Sequence, residues 1–225
     1  MFKQIIALVG MIILAATIGF AQSKFEGSGF FGWSVNDGVS GPTVTAPADN
    51  RSYNRVDPKN GWVFGGSGGY LFTPQVSVGF MYNRVSSKLI LGGANGTPDR
   101  ELGDMAISNY HGYIDYTFGE DGHAVRPFIY AGFGATNFGS TDFTSPLLGK
   151  GTIPGHSKFS TQWGGGLKYF VNPKVAIRGA AAWIPTYIKS DSTGYWCDPF
   201  WGCYLVGDPQ YANQFQFTGG VTFRF

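Results

Sequence analysis

A histidine and a serine that share a hydrogen bond can act as base and nucleophile in hydrolytic enzymes. The chain offers one adjacent pair, His156 and Ser157. Neighbouring side chains of an extended strand point to opposite faces, so these two cannot activate each other. The run Gly65–Gly69 matches the pattern G-x-S-x-G, but that motif needs a sharp turn between a strand and a helix, and the run lies within a predicted strand. We therefore expect no catalytic residues and no enzyme activity.

Histidine is also a common metal ligand. The three histidines of the chain are His111, His123 and His156, and no two of them lie at ligand spacing on one predicted element. We therefore expect neither a metal nor a cofactor. His111 falls on the polar face of a predicted strand, beside Asn109 and Tyr113. We expect it to be a hydrogen-bonded interior histidine and not a ligand or a base.

The two cysteines, Cys197 and Cys203, lie six positions apart in the segment CDPFWGC. In an oxidising compartment this spacing favours a local disulfide over two free thiols or half of a metal site. Aromatic side chains surround the cysteines, among them Trp196, Phe200 and Trp201. Two interpretations stay open: these aromatic residues pack on themselves as a lid, or they form a contact surface for another molecule.

The N-terminus indicates the compartment. One lysine precedes the apolar run from Ile5 to Phe20, and Gly19 and Ala21 fit the small residues that a signal peptidase requires. We predict a cleaved signal peptide over residues 1–21 and one exported domain over residues 22–225. After the predicted cleavage site no apolar stretch approaches the roughly 20 residues of a helical membrane span, so a helical membrane protein is not expected.

The composition points to a sheet with a wide apolar surface. Aromatic residues make up 17% of the chain and charged residues only 13%, about half the usual share for a soluble protein. The net charge is +2 and the basic residues are scattered singly, which makes nucleic acid an unexpected partner.

Apolar and polar side chains alternate along about eight segments, the pattern of strands with one apolar face. These segments are Phe25–Asn36, Trp62–Phe72, Val76–Arg84, Ala106–Phe118, Phe128–Phe138, Phe159–Phe170, Val175–Trp183 and Tyr211–Phe225. The segment Phe128–Phe138 carries small residues on both faces, so its outward face stays undecided.

The connections between these segments alternate in length. Three are short turns, and four are long polar loops near residues 37–60, 86–104, 139–157 and 185–210. Short turns at one end and long loops at the other are typical of a membrane barrel, as are the aromatic residues at the strand ends. A soluble sandwich would place its aromatic residues in mid-strand. We predict an all-β fold, an eight-stranded antiparallel up-and-down transmembrane β-barrel.

Several segments together resemble the OmpA/OmpX-like family of small outer-membrane β-barrels. They are YLFTPQVSVGFMY, NYHGYIDYTFG, RPFIYAGFGA, GGGLKYFVNPKVAIRG and FQFTGGVTFRF. Phe225 and Phe223 resemble the membrane-assembly signal that the outer-membrane assembly machinery reads. The resemblance implies a monomer in the bacterial outer membrane, in contact with membrane lipid and lipopolysaccharide. It covers the barrel domain only, without a peptidoglycan-binding domain, so attachment to the cell wall is not expected.

An eight-stranded barrel has an interior that side chains fill, so a general diffusion pore is not expected. The inward positions carry charges that all fall in the half nearest the short turns: Glu26, Asp115, Lys168, Arg178 and Arg224. Buried charges must be paired, so we predict a lumenal charge network. This network either packs the barrel or acts as a gate for small ions.

These inferences lead to one expected function and two alternatives. We expect a non-enzymatic barrel that supports envelope integrity and presents four extracellular loops for recognition or adhesion. The first alternative is a narrow ion or small-solute channel. The second is a lipid A-modifying enzyme, because some small outer-membrane barrels are deacylases with a lipid-facing His-x-Ser pair; here His156 and Ser157 lack the intervening residue.

Overall fold

A computed structural model describes residues 24–46, 51–145, 149–188, 195–198, 202–205 and 210–225. The predicted signal peptide lies outside these residues. The described chain forms strands β1 (Phe25–Asn36), β2 (Val39–Ala46), β3 (Arg51–Pro58), β4 (Gly61–Leu71), β5 (Val76–Gly93), β6 (Arg100–Thr117), β7 (Val125–Phe138), β8 (Thr141–Ser145), β9 (Gly149–Ile153), β10 (His156–Asn172), β11 (Val175–Ile188), β12 (Tyr195–Asp198), β13 (Gly202–Leu205) and β14 (Gln210–Arg224). None of the described residues belongs to a helix long and apolar enough to cross a membrane.

Eight of these strands close into an antiparallel barrel, which confirms the predicted fold. The order around the barrel is β1, β4, β5, β6, β7, β10, β11 and β14, and β14 pairs again with β1. The closing seam runs from the pair Glu26 and Arg224 to the pair Asn36 and Gln214. Closure gives the backbone polar groups of the seam strands partners, which a strand surrounded by lipid requires.

Residues 72–75, 118–124 and 173–174 form short turns at one end of the barrel, which we call the turn-side end. Local side chains fix two of these turns. The Thr73 hydroxyl accepts hydrogen bonds from the backbone N–H groups of Gln75 (3.2 Å) and Val76 (3.0 Å). The Asn172 side chain accepts equivalent bonds across the third turn. Short side chains with an acceptor oxygen favour such turns because they replace backbone partners.

The outer wall of the barrel is apolar, with aromatic side chains near both ends of the strands. Near the turn-side end the exposed aromatic residues are Phe25, Tyr70, Phe72, Tyr116, Phe118, Tyr169 and Phe225. Near the opposite, loop-side end they include Trp33, Trp62, Trp163, Trp183 and Tyr110. Neighbouring rings contact each other across strands, as in the edge-on pair of Trp33 and Trp62, whose centroids are 4.9 Å apart.

The structure decides the outward face of β7, which the sequence left open. Ile129 and Phe133 point outward, and Phe133 is 70% exposed. Phe128 and Tyr130 point into the barrel and are buried. The odd-numbered face of β7 is therefore the outer wall.

The predicted long loops contain more strand than the sequence indicated. Strands β5 and β6 continue to Gly93 and from Arg100, so the predicted loop over residues 86–104 shrinks to residues 94–99. The other three predicted loops contain the hairpins β2–β3, β8–β9 and β12–β13. Strand β3 pairs with the far end of β5, so β2, β3 and the extended parts of β5 and β6 form one sheet, the outer sheet.

Candidate functional site: the filled lumen and its two ends

Inward-pointing side chains fill the lumen, because every second residue of each barrel strand faces inward. The largest fully buried side chains include charged, amide and aromatic residues as well as aliphatic ones. They separate along the barrel axis into an ionic layer at the turn-side end, a polar layer above it and an apolar plug at the loop-side end.

The ionic layer is centred on Lys168. Its ammonium nitrogen lies 2.7 Å from Glu26 Oε1 and 3.2 Å from Asp115 Oδ1, and it donates a hydrogen bond to the Thr117 hydroxyl at 3.1 Å. Arg224 Nε donates to the other carboxylate oxygen of Glu26 at 2.9 Å. Four of the five predicted lumenal charges therefore meet in one set of ion pairs.

Arg126 and Asp121 extend this layer to the turn-side end. Arg126 is buried, and its Nη1 lies 2.5 Å from Asp121 Oδ1, which is also 3.6 Å from Arg224 Nη1. The same guanidinium donates to the backbone carbonyls of Pro74, Phe118 and Gly119. Sequence reasoning missed Arg126 because the predicted strand began at Phe128, whereas β7 begins at Val125 and includes Arg126.

The prediction that Arg178 joins the ion pairs is not met within the described residues. Arg178 is buried, but its guanidinium carbon lies over aromatic rings, 4.6 Å from the centroid of Phe128 and 5.3 Å from that of Tyr130. The physical reason is the register: Arg178 is the direct cross-strand partner of Lys168, which binds both nearby acids.

The polar layer contains His111, which points inward and is fully buried. Its Nε2 lies 2.8 Å from the hydroxyl of Ser160, which also accepts a hydrogen bond from Thr136 at 2.9 Å. Amide side chains continue the layer, as in the bond from Asn109 Nδ2 to Asn83 Oδ1 at 2.8 Å. Sequence reasoning did not find the partner of His111, because the two side chains meet over Gly134 of β7, the cross-strand partner of both, and this register is not readable from the sequence.

This histidine and serine form a pair of the kind that the sequence search sought elsewhere. A working base is oriented by a third group, but His111 Nδ1 is buried and has no hydrogen-bond partner. Both side chains are also 0% exposed, so a substrate cannot reach the serine in this conformation. The geometry is that of an interior hydrogen bond.

The apolar plug closes the loop-side end of the lumen. Its buried members are Val63, Val85, Leu89, Met105, Ile107, Phe138, Ile153 and Ala212, with Val56, Leu102 and Ile188 packed against them. These residues come from barrel strands and from the strands β3 and β9 of the predicted loops. The sequence analysis did not predict this cluster.

The cysteine loop is described only in its backbone. In the hairpin of β12 and β13, Cys197 lies directly opposite Cys203. The side chains of these cysteines and of Trp196 lie outside the described part of the structure, as do Phe200 and Trp201 altogether. The disulfide and the loop contact surface therefore stay predictions.

The residues of the predicted assembly signal lie at the barrel seam. The backbone of Phe225 exchanges two hydrogen bonds with Phe25, at 2.9 and 3.1 Å, and its ring points outward. Phe223 lies between Gly27 of β1 and Val175 of β11. Among the described residues, no three histidine, cysteine, aspartate or glutamate side chains are grouped to hold a metal ion.

Comparison with known proteins identifies the family. The model of a family described as the outer membrane protein beta-barrel domain matches residues 12–225. The chain belongs to this family. The protein is therefore located in the bacterial outer membrane. No curated protein matches it in sequence.

Two solved structures show the same fold. OprG from Pseudomonas aeruginosa is 14% identical, with a TM-score of 0.63, and the match covers 91% of this chain and 97% of that one. Neisserial surface protein A is 12% identical, with a TM-score of 0.52, and the match covers 91% and 99%.

In the membrane, the apolar outer wall of this outer-membrane barrel contacts lipid, and its aromatic bands lie at the two interfaces. The pair Tyr82 and Tyr110, with centroids 5.1 Å apart, marks the loop-side limit on β5 and β6. Beyond it, the exposed outward residues of β5 are polar or charged, beginning with Arg84. The outer sheet therefore lies outside the lipid.

Proposed function

We propose that this protein is a non-enzymatic barrel that supports the integrity of the outer membrane and presents its outer sheet to the cell exterior for recognition or adhesion. One observation carries the proposal. The lumen is filled at both ends, while the longest strands continue well beyond the lipid-facing wall.

The two closed ends support a structural role over transport. At the turn-side end, Lys168 and Arg126 are both 1% exposed. Lys168 pairs with Glu26 of β1, and Arg126 pairs with Asp121 of the adjoining turn. At the loop-side end, the plug consists of apolar side chains, which do not replace the hydration shell of an ion. A channel would require both layers to rearrange.

The buried position of His111 and Ser160 supports a role without catalysis. Their hydrogen bond lies in the polar layer below the plug, and His111 Nδ1 has no acidic partner. The lipid A-modifying alternative needs a histidine and a serine on the lipid face, and these two face the lumen.

The reach of the outer sheet supports recognition. Residues 84–93 of β5 extend for about 30 Å at roughly 3.3 Å per residue, and β3 pairs with their far end. This sheet carries exposed ion pairs, such as that of Lys88 Nζ with Glu101 Oε1, which are 2.5 Å apart. A rigid sheet that carries polar groups beyond the lipid can contact a neighbouring surface.

Partners follow from the same surfaces. We propose that lipid and lipopolysaccharide contact the apolar wall, that the assembly machinery reads the strand ending in Phe225, and that an extracellular ligand contacts the outer sheet. The protein acts as a monomer in this proposal.

The proposal can be tested in a strain that lacks the gene, by complementation with the full chain or with a variant in which a short Gly-Ser linker replaces residues 39–58. We expect both proteins to restore detergent resistance, because both retain the barrel. Only the full chain should restore cell-to-cell aggregation, measured as settling. A full chain that restores neither property would contradict the proposal, and so would altered lipid A in the complemented strain.

A further inference from the structure

Three buried cations lie side by side on the inner wall. Lys168 is the direct cross-strand partner of Arg126 on β7 and of Arg178 on β11. All three are at most 6% exposed. Like charges in opposed positions of a sheet repel each other, and a buried charge is costly unless a counter-charge compensates it.

The acids of the described lumen do not balance these cations. Glu26 and Asp115 bind Lys168, Glu26 also binds Arg224, and Asp121 binds Arg126. The cations of this layer are Arg126, Lys168, Arg178 and Arg224, and its acids are Glu26, Asp115 and Asp121. One positive charge is left over, and it belongs to Arg178.

Arg178 also has an unsatisfied hydrogen-bond donor. Its Nε–H is buried and has no hydrogen-bond partner. The rings of Phe128 and Tyr130 lie beside its guanidinium but accept no conventional hydrogen bond from Nε. Interaction with ring faces offsets only part of the cost of burying a cation.

The inward neighbours of Arg178 on its own strand and on β14 are small and supply no side-chain acceptor for Nε. Ala176 and Ala180 are the adjacent inward residues of β11, and Gly220 is its cross-strand partner on β14. None of them carries a side-chain oxygen. The site therefore combines a surplus positive charge with a free donor and short neighbouring side chains.

We propose that the lumen binds one small monovalent anion, of the chloride class, at Arg178. The anion accepts the Nε–H bond and neutralises the surplus charge of the cation row. Larger anions are excluded because Phe128 and Tyr130 fill the lumen beside the guanidinium.

The anion can be detected through its effect on unfolding of the full chain in detergent. Urea unfolding is followed in sodium chloride and in sodium gluconate at equal ionic strength. Linkage predicts that chloride at about ten times its dissociation constant lowers the unfolding equilibrium constant about elevenfold. The effect should saturate as chloride rises. Equal unfolding in the two salts would overturn the proposal.

Three variants locate the site. Arg178→Gln should abolish the difference between the salts, because it removes the charge. Ala180→Asp should also abolish it, because the new carboxylate lies next to Arg178 on the same face and replaces the anion. Arg84→Gln, which removes an exposed cation from the outer face of β5, should keep the full difference.

These variants keep the proposal falsifiable. If Arg178→Gln does not fold, the comparison of the two salts in the wild type and in Ala180→Asp still tests the proposal. Chloride dependence that persists in Ala180→Asp would place the anion elsewhere and overturn the assignment. Crystals grown in bromide should show an anomalous peak within hydrogen-bond distance of the Arg178 guanidinium, and its absence in well-ordered crystals would also overturn it.

Discussion

The two ends of the lumen are closed by opposite chemistry. At the turn-side end, Lys168 and Arg224 hold Glu26 in ion pairs with distances of 2.7 and 2.9 Å. At the loop-side end, aliphatic side chains such as Leu89 and Ile107 form the apolar plug. Both ends fill the same barrel, but only the first depends on directed contacts.

The difference follows from how each end is built. Short turns fix the strands at the turn-side end, so side chains from distant parts of the sequence meet with the accuracy that buried ion pairs require. The loop-side end is assembled partly from β3 and β9, which belong to long connections. Apolar contacts are non-directional and tolerate such a construction.

The largest expected effect comes from removing the central cation of the ionic layer. Lys168→Met leaves Glu26 and Asp115 without their shared partner and should lower the free energy of unfolding by about 3–5 kcal/mol. Urea unfolding in detergent measures this loss. The matched control is Lys88→Met, which breaks the exposed pair with Glu101 and should cause no resolvable change. Equal losses in the two variants would contradict the contrast between buried and exposed pairs.

A smaller effect is expected in the plug. Ile107→Ala removes a fully buried side chain and should cost about 3 kcal/mol, measured in the same way. Ile114→Ala makes the same change on the outer face of the same strand, where the side chain is 58% exposed. Lipid or detergent refills that space, so the cost should stay below about 1 kcal/mol. A larger loss in Ile114→Ala would mean that the faces are misassigned.

The smallest effect concerns two glycines on adjacent strands. A Cβ at Gly79 would collide with the carbonyl oxygen of Gly68 and lie 2.5 Å from the Cα of Gly69. Gly79→Ala should therefore cost roughly 1–3 kcal/mol. A Cβ at Gly68 would meet nothing within 4 Å, so Gly68→Ala should be neutral. Heat-dependent mobility on unheated and heated gels ranks the two variants, and the reverse order would contradict this geometry.

The sequence located the barrel because lipid makes one face of each strand apolar. That signal fails where lipid ends. Beyond Tyr82, the exposed outward residues of β5 are polar, and the inward residues Val85 and Leu89 are apolar. The apolar face of the strand is therefore the inner one here, whereas it is the outer one next to lipid. The extended strands, with Leu89 of the plug, were therefore predicted as a polar loop. In β7, small residues on both faces left no contrast to read.

The interior was predictable by residue type and not by partner. The inward positions of Glu26, Asp115 and Lys168 follow from parity alone. The separation of Arg178 from the ion pairs depends on the cross-strand register, which the sequence does not reveal. The bond between His111 and Ser160 likewise depends on register, because both residues are cross-strand partners of Gly134 on β7, the strand between β6 and β10.

Electrical recording in planar bilayers tests most directly whether both ends are closed. The refolded protein is added to the bilayer in chloride salt, with a general porin reconstituted in the same way as the positive control. The filled lumen predicts no stepwise conductance above the bare bilayer. Reproducible unitary steps whose ion selectivity changes in Arg178→Gln would contradict the closed lumen and favour the narrow channel.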